Sequence, residues 1–215
     1  MEKKTVKGVF ITFEGSECCG KSTQSRALYR HLVEKGYRVV FLREPGGTPI
    51  SEMIRKILLD PANKSMAAST ELLLYMASRA QTVKDVIKPA LARGAIVLCD
   101  RFLDSTVVYQ GYGLGMDVSF IRTLGAFATG GIRPDLTLLL DLPLKEALDN
   151  IGAKKDRIEQ RNFAYHSRVK NGYLSEARAE PRRVKVVKVE VKKADTQAAI
   201  RLHVAALLKK KKYRI

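Results

Sequence analysis

The segment Gly15-Ser16-Glu17-Cys18-Cys19-Gly20-Lys21-Ser22 fits the pattern G-x4-G-K-[ST]. Residues of these types at this spacing bind phosphate. The two glycines let the backbone turn tightly, so that the N–H groups of Cys18 to Ser22 point inward at an anion. Lys21 reaches the β- and γ-phosphate oxygens, and the Ser22 hydroxyl can ligate Mg²⁺. A helix opening at Lys21 adds the positive end of its dipole. The ligand this implies is a nucleoside triphosphate; the phosphoryl acceptor stays open. Cys18 adds a thiol at that helix N-terminus, where a lowered pKa and ready alkylation, blocked by ATP, are expected.

Such a loop needs a strand before it and a helix after it, and the sequence supplies both. Apolar, β-rich runs cover residues 9–14, 37–42, 95–100 and 136–142, with a less clear fifth at 184–191. Helical patterns cover 21–35, 69–93, 117–129, 156–179 and 196–209, with Pro89 expected to kink the second. Strands alternating with helices predict an α/β chain with a parallel sheet covered on both faces. The first four runs are continuously apolar, as doubly buried strands are. The fifth alternates with lysines and fits an edge strand. Asp100 ends the third run, at the carboxyl edge of the sheet where ligands bind in such folds. Arg101 beside it can clamp a phosphate with its planar fork.

The chain has 215 residues, 39 Lys+Arg against 22 Asp+Glu, and a net charge of +17. Residues 1–149 hold 20 basic and 16 acidic side chains, a net +4, and residues 150–215 hold 19 and 6, a net +13. Such an excess predicts polyanionic partners without naming them. Composition excludes a collagen-like or wholly disordered chain. No apolar run approaches the roughly 18–20 residues of a membrane span, and residues 1–7 are basic without a signal-peptide core. A cytoplasmic location is therefore expected. Cys18, Cys19 and Cys99 have neither metal-ligand nor disulfide spacing.

Beyond the loop, the chain resembles bacterial thymidylate kinase. The carriers are Phe13-Glu14-Gly15, Gly20-Lys21-Ser22-Thr23-Gln24, Arg43-Glu44-Pro45-Gly46-Gly47-Thr48 and Ser78-Arg79-Ala80-Gln81. Asp100-Arg101-Phe102 with Ser105, Tyr109-Gln110-Gly111, Phe127 to Gly131, Arg133-Pro134-Asp135 and Asp156-Arg157-Ile158-Glu159 complete the set. The resemblance implies a three-layer P-loop NTPase fold with five parallel strands in the order 2-3-1-4-5. It implies one domain over 1–215, a short lid at about 150–161 and a basic tail at about 209–215. The implied reaction is transfer of the γ-phosphoryl of ATP to dTMP, giving dTDP and ADP, with Mg²⁺. The alternatives are another P-loop deoxynucleotide or deoxynucleoside kinase, or a nucleic-acid-binding NTPase. The basic C-terminal third has no aromatic cluster for stacking bases, so nucleic acid is not the expected partner.

By the same resemblance, Gly15, Ser16, Glu17, Cys18, Cys19, Gly20, Lys21, Ser22 and Thr23 surround ATP, and Ser22 and Asp100 lie at the metal. Arg79 and Tyr75, four apart on one helix face, are to read and stack the thymine ring. Ser105 and Gln110 are expected near the base and Tyr109 near the sugar. Glu17 is expected at the acceptor's 3′-hydroxyl, Glu44 and Pro45 in the pocket wall, and Arg55 and Arg101 at the acceptor phosphate. Cys18-Cys19 leave the loop without the basic residue some relatives carry there, so the charge is expected from Lys154, Lys155 and Arg157 of the lid. The family is usually homodimeric, and 69–93 and 117–129 offer apolar helical faces for it.

Overall fold

The computed structural model describes residues 8–213; the basic stretch 1–7, and Arg214 and Ile215 of the expected tail, lie outside it. Five parallel strands form one sheet in the order β2-β3-β1-β4-β5, as expected. They are β1 (Val9–Glu14), β2 (Val39–Arg43), β3 (Ile96–Asp100), β4 (Leu136–Asp141) and β5 (Val184–Lys188). The central strands are buried on both faces, which explains their continuous apolar runs. On one face Val9, Ile11 and Phe13 pack with Leu28 and Leu32 of helix α1 (Lys21–Glu34) and Ile200, Val204 and Leu208 of α9 (Lys193–Lys210). On the other, Phe10, Val97 and Cys99 meet Val83, Ile87 and Ala90. Period-two alternation along β1 therefore serves two cores at once.

The remaining helices are α2 (Pro49–Leu59), α3 (Ala68–Thr82), α4 (Lys88–Ala92), α5 (Leu103–Thr106), α6 (Val118–Thr129), α7 (Leu144–Asp149) and α8 (Phe163–Ala179). Side chains set several starts. Thr48 caps α2 and Pro49 opens it, Asp117 caps α6, and Asn162 caps α8 through Tyr165 N–H at 2.9 Å. That last cap corrects the expected helix over 156–179. Asp156 instead accepts from Ile158 and Glu159 N–H, and Glu159 reaches back to Asp156 N–H, closing a separate turn.

Pro89 does not break the helix over 68–92. A π-helical stretch, Val83–Ile87, precedes it, and the wider turn leaves room for the ring. A second π stretch, Val107–Gly113, continues α5; its Val-Val and paired glycines hid it from helix periodicity. β5 is an edge strand but stops at Lys188, after which Glu190 N–H turns to the Thr196 hydroxyl.

Candidate active site

The loop follows β1 and opens α1. Gly15 has φ 141° and Gly20 φ 89°, and a Cβ on Gly15 would lie 2.6 Å from the Leu140 carbonyl oxygen, so that position admits only glycine. Lys21 is buried, and its ammonium donates to the carbonyls of Gly15 at 3.1 Å and Ser16 at 2.5 Å. Strands β1 and β3 are neighbours with Phe13 opposite Asp100, so the loop and Asp100 emerge at one sheet edge. The Ser22 hydroxyl donates to Asp100 Oδ2 at 2.6 Å and joins them.

Arg101 follows with a left-handed φ of 71°. Its guanidinium pairs with Glu17 at 2.8 Å and stands over the Tyr109 ring, 5.0 Å from its centroid. Tyr109 donates to the other Glu17 oxygen at 2.7 Å. Burial alone would raise the Glu17 carboxyl; Arg101, Lys21 and the Tyr109 hydroxyl outweigh it and bring it down to about 2. Glu14, three residues earlier, goes the opposite way: burial and Asp104 push it up to about 7 against its hydrogen bonds and Arg101.

Two cavities flank the Arg101–Glu17 pair. The first, about 100 Å³, is lined by every residue expected around the acceptor: Glu17, Glu44, Pro45, Arg55, Tyr75, Arg79, Arg101, Ser105, Tyr109 and Gln110. Sequence reasoning missed Leu59, Thr106, Asp156 and Ile158 in the same wall; only the Asp156-Arg157-Ile158-Glu159 motif pointed to any of them. Arg79 is braced from several sides. Its Nε donates to Glu44 at 2.8 Å, Nη1 to Thr106 at 2.9 Å and Nη2 to the Phe102 carbonyl at 3.0 Å.

The second cavity, about 410 Å³, has Glu17, Cys18, Gly20, Lys21, Ser22 and Thr23 on its floor and Asp100 and Arg101 at its side. Glu17, Glu44, Arg55, Arg101 and Asp156 line both. Gly15 and Ser16 line neither; they sit beneath, offering carbonyls to Lys21. Cys19 lines a third cavity of about 220 Å³, between the loop and a wall of Leu142, Asn150, Val189, Val191 and Lys193. That wall is gathered from the end of β4, the C-terminus of α7 and the turn from β5 into α9, and no sequence signal joined these segments.

Of the lid, Asp156 and Glu159 line the phosphate cavity, while its cations Lys154, Lys155 and Arg157 do not in this structure. Arg157 is buried, with Nε on the Leu58 carbonyl at 2.7 Å and Nη1 on Glu71 at 2.6 Å. Arg161 shares that carboxylate at 2.6 Å, and Gln110 donates to its other oxygen at 2.8 Å. A fully buried Glu71 attracts the nearest arginines more strongly than open solvent near the loop does. Lys154 and Lys155 are exposed and line none of these three cavities. Arg183, in the strongly basic C-terminal part, is paired with Asp104 at 2.6 Å and Glu180 at 3.0 Å.

Cys18 is also corrected. Its thiol is pushed up, by partial burial first and by Glu159 and Glu17 facing it. Burial and the two carboxylates outweigh the opposing pull of Lys21. Alkylation by iodoacetamide at pH 7 is accordingly expected to be slower than that of a free thiol; a faster rate would restore the activated thiol.

Three comparisons bear on this geometry. The family model "Thymidylate kinase" matches residues 13–200. A thymidylate kinase of Geotalea daltonii is 52% identical over 202 residues, covering 90% of this chain and 94% of its own length. That of Pseudomonas putida is 48% identical over 205 residues, covering 94% and 96%. The crystal structure of thymidylate kinase from Ehrlichia chaffeensis superposes with a TM-score of 0.76 at 32% identity, over 93% of this chain and 99% of that one. With the family model matching residues 13–200 and relatives about half identical along most of their length, the chain belongs to the thymidylate kinase family.

Proposed function

We propose that the chain transfers the γ-phosphoryl of ATP to dTMP, giving dTDP and ADP. The observation that carries this is the pair of cavities meeting at Arg101 and Glu17, with Lys21 on one side and Tyr75 and Arg79 on the other. The triphosphate lies on the loop, its nucleoside toward the third cavity. Ser22 and Asp100 offer hard oxygen donors that would suit Mg²⁺. When bound, the ion neutralises developing charge on the phosphates. Lys21, Arg43, Arg55 and Arg101 border the phosphate cavity and provide the chain's own positive charge. Catalysis then consists of positioning and charge neutralisation, with no covalent intermediate.

Base choice follows from Arg79. Of its five N–H groups, one on Nη2 is left after Glu44, Thr106, Met76 and Phe102 are served. That N–H donates to a pyrimidine carbonyl and rejects an amino group, while Tyr75 stacks on the ring. ADP release from ATP should rise strongly with dTMP, about tenfold less with dUMP, which lacks one methyl, and about 100-fold less with dCMP. Thymidine and DNA should stimulate poorly. Release driven by DNA in place of dTMP would favour the nucleic-acid-binding alternative.

The lid over 150–161 is proposed to close on ATP and bring Lys154 and Lys155 to the γ-phosphate, Arg157 serving as its anchor on Glu71. Replacing both lysines with alanine should lower kcat about tenfold; unchanged turnover removes the lid from the mechanism. A homodimer is proposed through α3 and α6. Phe120 and Phe127, seven apart on α6, are 55% and 86% exposed, and Leu73 on α3 is 56% exposed. Phe127→Asp should shift the sedimentation coefficient from dimer to monomer. No described helix is long and apolar enough to cross a membrane.

A further inference from the structure

Glu14 has no part in the roles above. It ends β1, immediately before the loop, and is fully buried. Its carboxylate accepts three hydrogen bonds: from Phe102 N–H at 2.8 Å on Oε1, and from the hydroxyls of Ser105 at 2.5 Å and Tyr173 at 2.9 Å on Oε2. Both hydroxyl oxygens in turn accept from Arg101 Nη1, at 3.2 and 3.3 Å. Each hydroxyl has a single proton. Given to Glu14, that proton leaves the oxygen lone pairs facing the guanidinium. The two hydroxyl oxygens also lie 2.8 Å apart; with both protons given to Glu14, two parallel relays run from Arg101 through a hydroxyl to the carboxylate, with one polarity. The left-handed backbone of Arg101 is itself held, its N–H donating to the Phe13 carbonyl at 2.9 Å, so the relays act on the guanidinium. Nη1 also donates to the Gly15 carbonyl at 3.1 Å, and the other arm of the guanidinium is held by Glu17.

We propose that Glu14 is a positioning residue for the acceptor phosphate: ionised, it aims Arg101 through the hydroxyls of Ser105 and Tyr173, and protonated, it loosens that aim while Glu17 and the Gly15 carbonyl still hold the guanidinium. The inference rests on the reading that Arg101 clamps that phosphate. A neutral carboxyl or an amide at this position must place its own hydrogen on an acceptor, and the two hydroxyl oxygens are within reach. A hydroxyl that accepts from Glu14 turns its proton toward Arg101, where it meets another donor. The polarity of that relay reverses, and Nη1 loses a hydroxyl acceptor while keeping the Gly15 carbonyl.

The pH range follows from the surroundings. Burial raises Glu14 most and Asp104 adds to it, while Ser105, Arg101 and Phe102 N–H lower it, leaving it at about 7. Asp104 carries its own partner, Arg183. Tyr173 is pushed up by burial and stays a neutral donor. Asp100 is turned to Ser22, and Lys21 and His166 act on Glu17. The carboxylate form, and with it the aimed Arg101, prevails above pH 7 and is lost below it.

The test is steady-state kinetics from pH 6 to 8 on wild type, Glu14→Gln and Tyr173→Phe. In wild type the KM for dTMP should climb as pH falls through about 7. Glu14→Gln should show a dTMP KM about tenfold higher at pH 8 and lose that inflection, while its KM for ATP moves less than twofold. Tyr173→Phe removes one relay and should raise the dTMP KM about threefold with the inflection kept. The phosphate of dTMP titrates near pH 6 in every case, so the difference between variants is the readout. A wild-type dTMP KM in Glu14→Gln, an inflection that survives there, or an ATP KM that rises as much, each overturns the proposal. If Glu14→Gln does not fold, a flat wild-type profile or a silent Tyr173→Phe overturns it equally. Wild type without dTMP turnover overturns the acceptor reading and this inference with it; the other failures leave the acceptor reading standing.

Discussion

Lys21→Ala is expected to lower turnover about a thousandfold while leaving the fold intact. The ammonium is buried in the loop and held by two backbone carbonyls, Gly15 and Ser16, so it is already at the place where triphosphate charge arrives. Few reorganisation steps separate this state from one that contacts phosphate, and preorganised charge of this kind contributes the largest share of such catalysis. Removing one well-placed donor costs about 10²–10³ in related settings, and a full cation on a transferring phosphoryl contributes more. Lys21→Arg should fail nearly as badly. The planar guanidinium is wider than an ammonium and cannot sit between the two carbonyls. The measurement is kcat with far-ultraviolet circular dichroism as the fold control. Turnover within tenfold of wild type would mean that Arg43, Arg55 and Arg101 supply the charge without Lys21.

Glu71→Ala should destabilise the fold by about 3–5 kcal/mol, or about 10 °C in Tm. Glu71 is fully buried, and its carboxylate binds Arg157, Arg161 and Gln110. Its loss leaves the buried Arg157 guanidinium without a counter-charge, although that group already has one nitrogen, Nη2, without a partner. An uncompensated buried charge is the costly case; removing both charges is not. The double variant Glu71→Leu with Arg157→Met should therefore recover much of the loss. Calorimetric unfolding checks this. A drop below about 1 kcal/mol in the single variant would show that the cluster is effectively solvated. The single variant should also weaken dTMP binding, because Gln110 in the acceptor cavity loses its brace.

The parts of this molecule that the sequence revealed are those with local rules. The loop pattern needs only eight consecutive residues and a strand before them, and Lys21, Ser22 and Gly20 stand as read. Tyr75 and Arg79 share a helix face by spacing alone, and both line the acceptor cavity. Strand runs of continuous apolar residues located β1, β3 and β4, since burial on both faces erases alternation, whereas β2 is an edge strand and only partly buried. The parts that escaped are set by distant partners. Nothing near Arg157 in the sequence says that Glu71, 86 positions away, holds it. Cys18 reads as an activated thiol from its helix terminus, and only the folded chain brings Glu159 against it. Arg183 likewise reads as a surface charge until Asp104 is seen beside it. Glu14 looks like an ordinary strand end in sequence. Its three hydrogen-bond partners come from α8 and from the segment after β3.

The most direct test of the central claim is a crystal structure with dTMP and a non-hydrolysable ATP analogue bound together. The two-cavity account predicts the thymine ring against Tyr75 and Arg79, the dTMP phosphate on Arg101, and the triphosphate on the loop with Lys21 at its β- and γ-oxygens. It predicts an acceptor phosphate oxygen in line with the γ-phosphorus, at about 3–3.5 Å. A thymine ring outside that cavity, or a dTMP phosphate seated on Lys21 with no second nucleotide across the Arg101–Glu17 pair, would contradict it.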